Sequence, residues 1–359
     1  MPLSLPMRPS LTFANFLRAC ALHALRWSIT LLCLMALSWA AFVAIRFHHV
    51  DTRLYAWASQ WVRNPSPAQP TPGGRRLDSY VLETGPTAVA GVHRNLSGLT
   101  FDAETRGLIS VVNRPAQLLR LSLDGRVTSR HRLLNAADVE GVAYLGQGRV
   151  ALLEEGRNRI VLATLPAAPD ADLDLSGAAA LALSLDEHPD GATGVLAANA
   201  GFEGIGYDPE RDALYVAKEH SPRALYRVVG LAAHVPGQGL NVEIRNLSDW
   251  VDDASVVGTD LSSVEVDPAT GHLMLLSDES QTLVELYASG QPLGRLRLPG
   301  QYGGVLAVPQ AEGIAMSPQG DIFIVSEPNL LYRLRPGQRE QPSPADAATA
   351  GRLRTPGRG

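Results

Sequence analysis

The stretch "GFEGIGYDPERDALYVAKE", residues 201–219, puts a glutamate at the start of one short apolar strand and a second glutamate at the end of the next. The Asp-Pro between the two strands is a turn in which proline fixes φ. The same phrase recurs along the chain. "LSGLTFD" at Leu96, "VEGVAYL" at Val139, "LSSVEVD" at Leu261 and "AEGIAMS" at Ala311 are versions of the first strand. "GLISVVN", "RVALLEE", "HLMLLSD" and "DIFIVSE" follow them as the second, and "QLLRLSL", "RIVLATL", "ALYRVVG", "TLVELYA" and "LLYRLRP" form a third.

Short strands joined by tight turns, repeated at intervals of roughly 40 to 60 residues, predict an all-β fold: a β-propeller of four-stranded antiparallel blades. Gly98, Gly141, Gly204 and Gly313 fall where innermost strands crowd together around an axis and backbones must approach closely. Five phrases count for five blades, and the long interval between Gly141 and Gly204 leaves room for a sixth. Within that interval only "LALSL" reads as a good strand; "DLDLSG" at Asp172 lacks the spacing of a calcium loop. The last repeat supplies three strands, and "SYVLET", residues 79–84, is an unattached strand ahead of the first. It is expected to complete the last blade and so remove an open sheet edge.

In an antiparallel pair the start of one strand lies beside the end of the next. Glu140, Glu203 and Glu312, which open first strands, are therefore expected to share a rim with Glu155, Glu219, Asp278 and Glu327, which close second strands. Asn113, Ser97 and Ser262 hold the same places in the other blades. Two carboxylates about 5 Å apart repel by about 3 kcal/mol at an effective dielectric near 20. Such a ring calls for a cation, for basic partners such as Arg114, Lys218 or Arg223, or for protonation of some members. Oxygen ligands in number suit Ca²⁺, so Glu140, Glu203, Glu312, Glu155, Glu219, Asp278, Glu327 and Asn113 form the candidate metal set. The alternative is structural: each Glu of the phrase accepts backbone N–H bonds and fixes the turn between blades. His220, in "KEHSP", could act as a general base beside the rim, though a loop histidine more often carries no chemistry.

Ahead of the repeats, "SITLLCLMALSWAAFVAI", residues 28–45, is an uncharged apolar run of the length a helix needs to cross about 30 Å of hydrocarbon. Arg8, Arg18 and Arg26 precede it with no acidic residue, which places residues 1–27 in the cytoplasm and the remainder outside. A cleaved signal peptide is the competing reading, since Ser38 and Ala40 are spaced as a peptidase accepts. Residues 46–77, rich in Pro and Gly, read as a linker, 78–335 as the propeller and 336–359 as a disordered tail. Both cysteines, Cys20 and Cys33, fall before the linker, so the exported part has neither a disulfide framework nor a thiolate zinc site. Residues 1–63 carry about +5 and the rest about −10. An acidic domain repels nucleic acid, and the scattered aromatics offer no stacking platform. There is no GxSxG, no P-loop and no GxGxxG opening a helix.

Through "LSGLTFD", "VEGVAYL", "GFEGIGYDPERDALYVAKEHSPRALYRV", "DLSSVEVDPATGHLMLLSDESQTLVEL" and "AEGIAMSPQGDIFIVSE", the chain resembles the SdiA-regulated (YjiK-like) family over residues 78–335. The resemblance implies a membrane-anchored β-propeller of the bacterial envelope, a single-pass inner-membrane protein with its propeller in the periplasm; it implies no activity. A more distant likeness to calcium-dependent propeller hydrolases, such as lactonases and phytase-like esterases, would make Glu140, Glu203, Glu312 and Asn113 ligands. Two functions follow as expectations. One is a binding or interaction module for a small molecule or an envelope protein, with calcium at the acidic mouth. The other is a calcium-dependent hydrolase of esters, lactones or phosphoesters.

Overall fold

A computed structural model describes residues 13–48, 74–183, 201–219, 223–235, 238–253, 257–298 and 308–337. The chain divides into two compact units, residues 1–55 and 56–359. The first contains helix α1, Phe13–His48, 36 residues long. It is longer than the apolar run alone, because residues 13–27 are rich in Ala, Leu and Arg, good helix formers uninterrupted by proline. Its segment Cys20–Val43, with a mean hydropathy of 1.6, is long and apolar enough to cross a membrane.

The second unit is a five-bladed propeller. Strand β1 (Tyr80–Ala88) comes first, and blade 1 follows as β2 (Leu96–Asp102), β3 (Gly107–Val112), β4 (Gln117–Leu121) and β5 (Val127–Leu134). Blade 2 holds β6 (Val139–Gly146), β7 (Arg149–Glu154) and β8 (Arg159–Thr164); after it β9 (Leu173–Asp174) pairs parallel with β5, and β10 (Ala180–Ala182) edges blade 2. Blade 3 is β11 (Phe202–Asp208), β12 (Ala213–Lys218), β13 (Ala224–Val229) and β14 (Glu243–Asn246). Blade 4 is β15 (Ser263–Val266), β16 (Leu273–Ser277), β17 (Thr282–Leu286) and β18 (Pro292–Arg297). Blade 5 is β19 (Ala311–Met316), β20 (Ile322–Ser326), β21 (Leu330–Pro336) and, from the other end of the chain, β1. The long interval in blade 2 thus becomes β9 and β10, which attach to existing blades.

The ring closes because β2 packs on β6, β6 on β11, β11 on β15, β15 on β19 and β19 on β2. These inner strands meet at the glycines of the phrase. A Cβ on Gly98, whose φ is 45°, would lie 2.6 Å from the Glu140 carbonyl oxygen; one on Gly204 would lie 2.7 Å from Ser263 Cα. The apolar core fills the five seams between blades, for example Val111, Leu118, Val142 and Leu152 between blades 1 and 2. Second strands are buried on both faces, which is why they read as continuous apolar runs without alternation.

Residues 74–77, expected as linker, belong to the propeller. Arg75 donates from Nε and Nη2 to Asp267 at 2.7 and 2.9 Å, and its backbone N–H donates to Glu285 Oε1 at 2.9 Å. Leu77 and Tyr80 are buried in the seam between blades 4 and 5. Tyr80 pairs with Pro336, so both ends of the propeller leave at one rim, and first strands start at the opposite one.

Gly204→Ala is expected to lower the stability of the purified chain by about 1–3 kcal/mol in chemical denaturation, because backbone stands where the methyl must go. Gly239→Ala, with nothing within 4 Å of its added Cβ, serves as the comparison and should be nearly silent.

Candidate functional site: an acidic mouth

At the rim where first strands begin, the chain does the same thing in three blades. Val139 pairs with Glu154 and Gly141 with Leu153; Phe202 pairs with Lys218 and Gly204 with Ala217; Ala311 pairs with Ser326 and Gly313 with Val325. Glu140, Glu203 and Glu312 are each the unpaired extra residue of a β-bulge, a device that re-aims one side chain. All three sit half-buried between fully buried neighbours. Just before each bulge, the chain is pinned to the second strand: the N–H groups of Glu155, Glu219 and Glu327 donate to the carbonyls of Asp138, Gly201 and Gln310 at 2.8, 3.1 and 3.0 Å. In blade 1 the Asn113 N–H donates to the Asn95 carbonyl at 3.1 Å. Asn95, Asp138 and Gln310 turn the backbone through left-handed φ values of 59°, 54° and 43°.

The structure sorts the eight predicted residues into two tiers. Glu140, Glu203 and Glu312 form the inner one and act on one another. Burial, then repulsion by Glu155, pushes Glu140 up to about 8. Burial, then Glu219, Glu140 and Glu312, holds Glu203 well above the usual carboxylate range, and burial with Asp278 and Glu140 does the same to Glu312. Each retains some accessible surface.

The outer tier largely bridges one blade to the next. Asn113 Nδ2 donates to Glu140 Oε1, and the Gly201 N–H donates to the Glu155 carboxylate. Asp278 Oδ1 accepts the Ala311 N–H at 2.9 Å and Gln281 Nε2 at 2.9 Å. Glu155 is raised to about 6 by burial and by Asp138; Glu327 is raised by burial and opposed by Arg94. Glu219 closes β12 beside Glu203, on which its charge acts.

Of the basic residues named from sequence, Arg114 and Arg223 bond to groups outside the inner tier. Arg114 pairs with Asp138 at 2.9 Å. Arg223 donates to the carbonyls of Val251, Asp252 and Gly258. Lys218 is buried, which lowers its pKa, with Glu219 opposing the shift. Arg114 also acts electrostatically on Glu140 and Glu155. Asn113, only 8% exposed, keeps its Oδ1 buried with no hydrogen-bond partner among the described residues. His220 lies outside the described residues.

Two residues escaped the sequence reading: Asp138 and Asp260, both one place ahead of the phrase. Asp260 is fully buried, accepts bonds from the N–H groups of Asp278 and Glu279 at 2.9 and 3.2 Å, and is raised to about 7 chiefly by burial. Setting the five phrases in register one residue earlier would have displayed this position as Asn95, Asp138, Gly201, Asp260 and Gln310.

The donor set is oxygen only, as calcium prefers. It is not a ready-made cage: among the described residues, no three His, Cys, Asp or Glu side chains are set closely enough to hold one ion. A separate groove near the opposite rim, lined by Leu145, Arg149, Leu162, Ala178 and His234, contains none of the predicted residues.

Fold and site together define a five-bladed β-propeller with an acidic mouth. Residues 74–335 match the SdiA-regulated family, and the chain belongs to that family. Among solved structures it is similar to glutaminyl cyclase of Myxococcus xanthus, at 17% identity and TM-score 0.46, covering 71% of this chain and 95% of that one. It is also similar to regucalcin, a calcium-binding protein of Agrobacterium tumefaciens, at 15% identity and TM-score 0.42, covering 71% and 95%. A gluconolactonase of Xanthomonas campestris matches at 17% identity and TM-score 0.39, covering 69% and 87%. Likenesses of that order do not bear on ligand or activity.

The raised carboxylates make stability depend on pH. In the unfolded chain Glu140 loses its proton near 4.5, whereas in the fold it holds it to about 8. The folded state therefore carries protons that the unfolded state has shed, and stability is full below pH 4.5 and falls as pH rises towards 8. Each such group contributes a slope of up to about 1.4 kcal/mol per pH unit. Denaturation midpoints of the ligand-free full-length protein in neutral detergent should fall between pH 5 and 8. Glu203→Gln should be the more stable protein at pH 8 and show a shallower decline. A flat profile for both proteins would mean that the inner carboxylates are not crowded.

Proposed function

We propose that this chain is a binding module of the cell envelope: the apolar helix holds it in the membrane, the propeller stands on the outer side, and the acidic mouth captures a positively charged ligand. The carrying observation is the inner tier, in which burial and mutual repulsion hold Glu140, Glu203 and Glu312 above the ordinary carboxylate range, while Asn113 Oδ1 lies buried with no hydrogen-bond partner among the described residues. A cation arriving there relieves the repulsion and supplies the missing hydrogen-bond or coordination partner. Anchoring is supported by the length and hydropathy of Cys20–Val43, and the outward orientation by Arg8, Arg18 and Arg26 ahead of the apolar run. Calcium, which takes oxygen ligands at variable number and angle, is the metal that suits the donor chemistry.

Full-length protein in neutral detergent, melted at fixed ionic strength, tests the reading. Across a panel of Ca²⁺, Mg²⁺, butane-1,4-diamine and a lysine-containing tripeptide, at least one member should raise the melting temperature by several degrees. The shift should vanish in the Glu203→Gln, Glu312→Gln double variant. If no cation in the panel moves the wild-type transition, the mouth is not a cation site.

A further inference from the structure

Blade 2 departs from the other blades at the residue that closes its first strand. In the others that residue is Asp102, Asp208, Asp267 or Ser317. Each aspartate accepts a backbone N–H of the turn that follows it, from Glu104, Glu210 and Ala269 in turn, all at 3.0 Å. Each also holds a guanidinium: Arg120 stands 3.8 Å from Asp102, Arg211 2.6 Å from Asp208 and Arg75 2.7 Å from Asp267. Setting "VEGVAYL" against "FEGIGYD" puts Leu145 in that place in blade 2. The turn there uses other acceptors. The Gln147 N–H donates to Glu104 Oε1 at 2.6 Å, and the Gly148 N–H donates to the Tyr144 hydroxyl at 3.1 Å. Arg149, the guanidinium of this turn, has no such substitute. It is half-buried, and its one hydrogen bond among the described residues runs from Nη1 to the Ala232 carbonyl at 2.6 Å. Asp212, in the corresponding turn of blade 3, accepts the Tyr207 hydroxyl at 3.2 Å and makes no ion pair with it.

A groove of about 400 Å³ opens at this guanidinium, between the rim ends of β6, β7 and β8 and the loop joining β13 to β14. Leu145, Val150, Leu162 and Ala178 wall it, and Arg149, Thr164 and His234 add polar groups. A size within about 300–1000 Å³ and apolar walls with few polar groups are the marks of a small-molecule site. Its lip is open: a Cβ added to Gly177 would meet nothing within 4 Å. With Nη1 held by a backbone carbonyl, Nε and Nη2 form the edge of the fork that takes both oxygens of one carboxylate. We propose that this groove binds a small monocarboxylate with a short aliphatic chain. The carboxylate pairs with Arg149 where the other blades supply an aspartate, and the chain lies on Leu145, Leu162 and Ala178. One guanidinium in an acidic domain matches a single negative charge better than a phosphate dianion. The site is independent of the acidic mouth, which lies at the opposite rim.

Isothermal titration of the full-length protein in zwitterionic lipid nanodiscs, at neutral pH and low salt, tests the proposal. Hexanoate presents the carboxylate as a free acid and N-acetyl-leucine as a peptide terminus; acetate lacks the chain and hexanamide lacks the charge. At least one of the first two should bind saturably, tenfold or more tighter than acetate or hexanamide. Arg149→Met should weaken that binding at least tenfold, and Arg149→Lys, which keeps the charge but loses the fork, severalfold. Leu145→Asp, which restores the carboxylate of the other blades, should abolish it. Melting temperatures show whether each variant is folded, and if Leu145→Asp is not, Arg149→Met decides. Arg126→Met, at a turn of blade 1, and Glu203→Gln, at the mouth, should leave binding unchanged. Hexanamide binding as tightly as hexanoate reduces the groove to an apolar slot and overturns the proposal. Acetate binding as tightly, unchanged binding in folded Arg149→Met, or no saturable binding of either acid overturns it as well.

Discussion

Five inner strands have to meet around one axis, and the rest of the structure follows from how little room that leaves. Gly204 against Ser263, and Gly98 against Glu140, are contacts in which a single methyl group would meet backbone. Glycine at the third place of the phrase lets the strands close up. The bulge beside it is the local consequence: the strand gains a residue, twists away from its partner and turns the preceding side chain towards the mouth. Ring closure and the aiming of the glutamates are therefore one event, and the apolar seams between blades hold both in place.

Closure also needs the chain's two ends to be tied. β1 completes blade 5 by pairing with β21, and Arg75 extends the tie across the seam to blade 4 through Asp267 and Glu285. Asp267 is drawn below the ordinary carboxylate range in spite of its burial, by the hydrogen bonds it accepts from Arg75, from the Ala269 N–H and from Thr270. The contrast with the mouth is instructive. At one rim a buried carboxylate is neutralised by a guanidinium with bidentate geometry; at the other, three buried carboxylates raise one another. Both the tie and the acidic well come from residues whose charges are partly desolvated, so their opposite shifts reflect partners, since burial is common to both.

The fold was legible because its signal is repetitive. Five copies of one phrase, the glycine in four of them, and a spare strand before the first copy together specify blades and closure, and each was found where the pattern put it. The gathering of Glu140, Glu203 and Glu312 at one rim was legible for the same reason. What could not be read were decisions taken by single side chains. Whether Arg114 meets Glu140 or Asp138, or Arg223 a carboxylate or three carbonyls, depends on rotamers and loop paths that composition does not encode. Arg75 looked like linker because its partners lie about 190 and 210 residues away, and no local pattern announces such a contact.

Blades 1 and 4 supply the comparison that separates a structural role for the inner glutamates from a functional one. In blade 1 the place of Glu140 is taken by Ser97, yet the register still shifts between Ser97 and Leu99 and the strand still closes on its neighbour. In blade 4 Ser262 holds that place and its N–H still reaches the Leu276 carbonyl at 3.0 Å. A carboxylate is thus not required to make the turn between blades; a hydroxyl suffices. The three acids that are present cost stability through desolvation and mutual repulsion, terms a serine would not incur. On the proposed reading, a positively charged ligand from outside the chain offsets that cost.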